Sequence, residues 1–190
     1  MFHKYALSFL LKYLIIIFLS FSISTSTTID SLKNIAITNE GFPRAEALRK
    51  LSTRVRYEDK ELSIRYADSA LKIFKDIDSL GYAVRTYINI GHTYRHSDDY
   101  DTALKYYNKA LSLSLENEIG KGLLNTYNSI GNLYNELDQD SMSLIYYNKS
   151  YGKALELKDT IGISNAVNNI GILYWKEAKL DSSLKYIKKS

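Results

Sequence analysis

One short pattern constrains this chain more than any other. Asn89-Ile90-Gly91-x-x-Tyr94 returns as Ser129-Ile130-Gly131-x-x-Tyr134 and again as Asn169-Ile170-Gly171-x-x-Tyr174, each copy 40 residues after the last. A period this strict makes the chain an array, in which one unit cannot bury its apolar face alone and its neighbours complete the core. The second half of the unit recurs as well: Asp101-x-Ala103-Leu104-x-Tyr106-Tyr107-x-Lys109-Ala110 becomes Ser141-x-Ser143-Leu144-x-Tyr146-Tyr147-x-Lys149-Ser150, then Asp181-x-Ser183-Leu184-x-Tyr186-Ile187. A worn copy lies 40 residues upstream, where Leu51 and Arg54 replace the glycine and tyrosine of the first half and Ser63, Ala67 and Ala70 hold the second.

Spacings of three and four between apolar residues, as in Tyr87, Ile90, Tyr94 and in Leu104, Tyr107, Leu111, predict two helices per unit, and strand alternation is nowhere sustained. Acidic residues at Asp98, Asp99, Asp138, Asp140 and Asp181 stand where the second helix should begin, placed to cap its free N–H groups and favour its dipole. Gly81, Gly122 and Gly162 punctuate the return to the next unit; Gly81 lies one residue out of phase, which predicts a looser connection there. A single proline, Pro43, leaves no linker after the first forty residues.

Small residues at Gly91, Gly131 and Gly171 let the two helices of a unit approach closely, and Ala103, Ser143 and Ser183 do the same from the other side. The large Tyr94, Tyr134, Tyr174, Tyr107 and Tyr147 are expected to fill the volume between them.

Over residues 45–190 these positions resemble the tetratricopeptide repeat in a longer form of about 40 residues. The resemblance implies an all-α, right-handed superhelical solenoid of helix pairs with units near 45–82, 83–122, 123–162 and an incomplete 163–190, after a lead-in at 27–44 containing a short helix. The usual proline closing the second helix is absent, with Leu115 and Leu155 there, so longer helices are expected. A lead-in followed by a degenerate first unit is also similar to the extracytoplasmic sensory halves of bacterial signalling proteins, whose output is a histidine kinase or a DNA-binding domain. With the last unit incomplete, the chain reads as a free-standing piece or a truncated copy of such a half, and self-association through the open last unit is expected.

Residues 1–26 carry His3, Lys4 and Lys12 before an apolar run over 13–23 and then small residues, the pattern of a signal segment. The run is short for a span of roughly 30 Å of hydrocarbon, which favours cleavage after Ser24 or Ser26; an uncleaved membrane anchor is the alternative. Either reading places the rest outside the cytoplasmic membrane. Without Lys4 and Lys12 the formal charge of +4 falls to +2, and no basic stripe interleaved with aromatics suggests nucleic acid.

In such solenoids the concave face, lined by the first helices, does the binding. Counting around each helix from the packing positions gives Arg85, Ile88, His92, Arg95 and His96; then Asn125, Asn128, Asn132, Asn135 and Glu136; then Asn165, Asn168, Ile172, Trp175 and Lys176. An asparagine ladder can pair with the backbone of an extended peptide, and Trp175 with Ile172 can seat an apolar side chain. The alternative is that asparagine merely fills solvated positions in a composition rich in it. Some relatives clamp a terminal carboxylate with lysine and asparagine one turn apart, but here those positions hold Ile88 with His92 and Asn128 with Asn132. His92 and His96 have a metal-sharing spacing yet lack the companions of such a site, and no phosphate loop or nucleophile elbow occurs. The expectation is therefore a non-enzymatic binder of a protein or peptide, without cofactor or metal.

Overall fold

The computed structural model describes residues 28–187, which form eight helices and no strand among the described residues. We number them α1 (28–38), α2 (Gly41–Val55), α3 (Lys60–Asp76), α4 (Leu80–His96), α5 (Tyr100–Glu116), α6 (Gly120–Glu136), α7 (Asp140–Glu156) and α8 (Thr160–Ile187). The segment expected to direct export lies outside the described residues. Among the described residues no helix is long and apolar enough to cross a membrane.

Each helix from α3 to α7 is 17 residues long. The turns from α3 onward are built alike: a left-handed residue stands at Asp78, Asp98, Glu118, Asp138 and Lys158, with φ between 52° and 58°. The next N–H reaches back five residues to close the helix, as in Asp99 N to Tyr94 O at 3.1 Å and Gln139 N to Tyr134 O at 2.9 Å. The turn therefore satisfies the end of one helix while its last residue opens the next. Asp59, Asp99 and Asp159 accept from Leu62 N, Thr102 N and Gly162 N at 2.8, 3.1 and 3.1 Å. Asp98 and Asp138, expected as caps, supply the left-handed residue instead, and Gln139 makes no side-chain cap to α7. The connection at Gly81 is no looser than the others, because the turn residue there is Asp78, in phase with the rest. Tyr82 occupies the place of Gly122 and Gly162, and packs against Phe42 and Phe74 with centroids 4.7 and 5.2 Å away.

The pairing of small with large residues is realised at two units. A Cβ on Gly91 would stand 2.4 Å from Tyr107 Cε1, and one on Gly131 would stand 2.6 Å from Tyr147 Cδ1. In the worn first unit the sizes are exchanged: Leu51 stands at the glycine's position, Ala67 at the tyrosine's, and each is 1% exposed. Ser143, small enough for the crossing, satisfies its hydroxyl by donating to the Gly131 carbonyl at 2.9 Å. Two apolar clusters result, one around Leu51, Leu71 and Phe74 and one around Val84, Tyr107 and Ile130.

The last unit departs from the repeat. A second helix is expected to begin at Asp181, but α8 continues through that position to Ile187. Position 178, equivalent to Asp98 and Asp138, is Ala178 in the run Lys176-Glu177-Ala178-Lys179. Alanine has the highest helix propensity and loses roughly 1–2 kcal/mol in the left-handed region, whereas aspartate tolerates it. The notch at Gly171 is consequently open, with nothing within 4 Å of a Cβ there. Tyr174, expected to fill the core, is 56% exposed.

Candidate functional site

The inner surface is formed by α2, α4 and α6, which lie side by side, with α8 following α6. Two adjoining clefts open on it. The first, of about 250 Å³, is lined by Arg49 from α2, by Arg85, Ile88, Asn89 and His92 from α4, and by Asn125, Asn128 and Ser129 from α6. The second, of about 240 Å³, is lined by Arg56, Tyr57, His92, Arg95, His96, Asp98, Tyr100 and Glu136. His92 belongs to both and forms the wall between them.

His92 is held from beneath by the core. Its Nδ1 lies 2.8 Å from the Tyr107 hydroxyl, and burial pushes that phenol up to about 12, so it keeps its proton at neutral pH. The two groups share this one hydrogen bond, and which of them donates follows the imidazole tautomer. Burial, and then the charges of Arg56 and Arg95, push His92 down to about 3, so the ring is neutral at pH 7. A metal shared with His96 is disfavoured by the two guanidinium groups whose charges act on the ring. His96 packs edge-on against Tyr57 instead, with centroids 4.4 Å apart. Among the described residues, no group of three or more His, Cys, Asp or Glu side chains is placed to hold a metal ion.

The charges in the clefts are unequally matched. Arg49 is paired with Glu46 at 2.7 Å and Arg95 with Glu136, while Asp98 accepts from the Tyr100 hydroxyl at 2.9 Å. Among the described residues no carboxylate lies within ion-pair distance of Arg56 or Arg85. Arg56 lies 6.0 Å from the Tyr57 ring centroid, and exposed Arg85 lies 5.3 Å from that of Tyr82. Burial lowers Arg56 below the usual arginine range, and Arg95 adds to the effect.

The structure sorts the residues proposed from sequence. Arg85, His92, Arg95, Asn125 and Asn128 line the clefts. Asn132 is turned to the core, where its Oδ1 accepts from the Tyr147 hydroxyl at 2.7 Å, the counterpart of His92 with Tyr107. Asn128 also serves the stacking of units, accepting from Asn169 Nδ2 at 2.9 Å. The asparagine ladder is therefore partly a structural device. Asn135 is partly buried but borders neither cleft, and Ile88 contributes to the floor at 6% exposure. Lys176 reaches the turn after α6, pairing with Asp138 at 2.7 Å and Asp140 at 3.0 Å. On α8, Asn165 and Asn168 are exposed, as are Ile172 and Trp175 at 48% and 64%; none of them borders the clefts.

Sequence reasoning passed over Arg56 and Tyr57, whose unit lacks the glycine and tyrosine that mark the others. In the 40-residue register Arg56 and Tyr57 correspond to His96 and Ser97, so the repeat itself gave no signal for them. It also passed over the outer surface, where Tyr94 stacks on Tyr106 and Tyr134 on Tyr146 with centroids 5.5 and 5.6 Å apart. Lysines cover these rings, Lys60 over Tyr94 and Lys109 over Tyr106 at 4.5 Å each. A broad, open groove of about 710 Å³ runs there between Lys75, Tyr87, Tyr106 and Lys109. Its cations already rest on its aromatic faces, so it offers fewer unmatched groups than the inner clefts.

Comparison with known proteins agrees with this architecture. Residues 82–156 match the family described as tetratricopeptide repeat. No curated protein sequence matches the chain. The fold is similar to the crystal structure of the apo form of RapI, with a TM-score of 0.66 and 21% identity over 87% of this chain and 46% of that one. It is also similar to BtubC (BKLC) from P. vanneervenii, with a TM-score of 0.66 and 18% identity over 84% of this chain and 66% of that one. The chain thus spans less than two thirds of either structure, and at these identities the likeness concerns the fold alone. The protein is a helical repeat protein with a tetratricopeptide-like region, folded as a solenoid of paired helices.

Proposed function

We propose that this protein binds an extended segment of another protein along the inner faces of α2, α4 and α6, and that it does so outside the cytoplasmic membrane. The observation carrying the first part is the pair of adjoining clefts with His92 as their shared wall. Their direction crosses three successive first helices, as suits a chain lying across the array rather than a compact small molecule. Asn89 and Asn125 offer amide groups to a peptide backbone in one cleft, and Tyr57 and Tyr100 offer ring surface in the other. Export is supported by the basic start and the apolar run over residues 13–23.

Binders selected from a random peptide display library test the first part when their footprint is read by amide hydrogen exchange. Protection concentrated in α4 and α6, with competition among binders, is expected. Protection confined to the outer groove around Tyr106 and Lys109 would overturn it. The intact mass of the native protein, recovered separately from membrane and soluble extracytoplasmic fractions, tests the second part. A start near Thr25 or Thr27 in the soluble fraction supports a processed binding module. A full-length start confined to the membrane makes the apolar run an anchor, a species extending past Ser190 favours the sensory-half reading, and recovery in the cytoplasm alone refutes export.

A further inference from the structure

The inner clefts contain more hydrogen-bond donors than acceptors. Among the described residues, three buried side-chain polar atoms have no partner, and two of them, Arg56 Nε and Arg95 Nε, belong to residues that line the same cleft. The acids of that cleft are already engaged, Glu136 by Arg95 and Asp98 by Tyr100. Arg56 keeps a full charge with no carboxylate within ion-pair distance, partly withdrawn from solvent, where an ionic hydrogen bond is stronger than at an open surface. In the adjoining cleft Arg85 likewise makes no ion pair, although its charge reaches Glu46, which is paired with Arg49.

On the proposal that a peptide occupies these clefts, we infer that the peptide is acidic: one of its carboxylates completes Arg56 in the cleft walled by His92 and Tyr57, and a second reaches Arg85. A planar guanidinium receives a carboxylate through paired N–H donors, which fixes orientation as well as charge. The carboxylate at Arg56 belongs either to an Asp or Glu side chain or to the peptide's own C-terminus, and both present the same pair of oxygens.

The test uses two random nonapeptide libraries, one with free and one with amidated C-termini, selected on the wild-type protein and on Arg56→Gln. Arg54→Gln serves as a control, because Arg54 is exposed on the same helix and borders neither cleft. Circular dichroism confirms that each variant is folded. Wild type is expected to enrich Asp or Glu at a fixed position in the amidated library, or to bind only free C-termini; the first outcome assigns a side chain and the second a terminus. Arg56→Gln should weaken the selected peptide about tenfold and abolish that enrichment, while Arg54→Gln stays within twofold. Selection of neutral peptides on the inner face, or a loss below twofold in Arg56→Gln, overturns the acidic ligand and leaves the groove standing. Failure of both libraries to yield any inner-face binder overturns the groove and the acidic ligand together.

Discussion

If size exchange explains how the worn first unit keeps its joint, the exchange should work elsewhere. Introducing leucine at Gly131 places a side chain where Tyr147 Cδ1 and Cε1 already stand 2.6 Å from the Cβ position. The ring cannot simply swing away, because Tyr147 is 2% exposed and its hydroxyl is tied to Asn132 at 2.7 Å. Overpacking of this kind costs about 1–3 kcal/mol, and a leucine directed at an aromatic ring belongs at the upper end. Tyr147→Ala alone removes a buried ring and should cost about 3–5 kcal/mol, the range for large aromatic truncations. The double variant Gly131→Leu/Tyr147→Ala reproduces the Leu51 and Ala67 arrangement, both fully packed in this protein. It should be more stable than either single variant, with a residual loss of about 1 kcal/mol from the missing hydroxyl bond and hence, against the two single losses, a favourable coupling energy of about 5 kcal/mol or more. Urea unfolding followed by circular dichroism measures the cycle. Hydrogen exchange in α6 and α7 should accompany it, because solenoids can lose units separately. Additivity of the two substitutions within about 0.5 kcal/mol would refute the idea that the positions are one joint.

Three further outcomes follow from the same structure. His92 titrates at about 3 in the fold against 6.5 in an unfolded chain; below pH 6.5 the unfolded state binds the proton first, so acid should remove stability at up to about 1.4 kcal/mol per pH unit, with no effect above that pH. His92→Asn, which copies Asn132, should remove this component, so urea midpoints of the two proteins must converge or cross between pH 7 and 4.5; a constant difference refutes the assignment. Gly152→Ala, where nothing lies within 4 Å of the new Cβ, should stabilise α7 by about 0.5–1 kcal/mol, while Gly131→Ala should be less stable than that variant in the same urea assay. Ala178→Asn supplies a residue that tolerates the left-handed turn; spin labels at positions 165 and 185, roughly 30 Å apart along a straight helix, should then show a new short distance, and an unchanged distribution would show that Ala178 is not what keeps α8 continuous.

Much of the solenoid was legible from short-range pattern. A 40-residue period, spacings of three and four, and glycine opposite tyrosine are statements about neighbours on one helix or its partner, and the helices from α3 to α7 follow them. The break expected at Asp181 failed for an equally local reason, the alanine at 178, which comparison with Asp98 and Asp138 would have revealed. The site was less legible. Counting around a helix selected His92 and Asn132 as groove residues, yet each is also held by a tyrosine 15 residues away on the next helix. Arg56 was passed over because its importance comes from the absence of an ion pair to it, which no spacing encodes.

The sequence by itself determined the repeat and the helix pairs, because propensity and periodicity act along the chain. Tertiary structure decided which charges find partners and which do not. Arg95 meets Glu136 across 41 residues and Lys176 meets Asp138 across 38, while Arg56 meets neither. Such pairings depend on how one unit is displaced and rotated against the next, a geometry set by the summed packing of the whole array rather than by any residue in it.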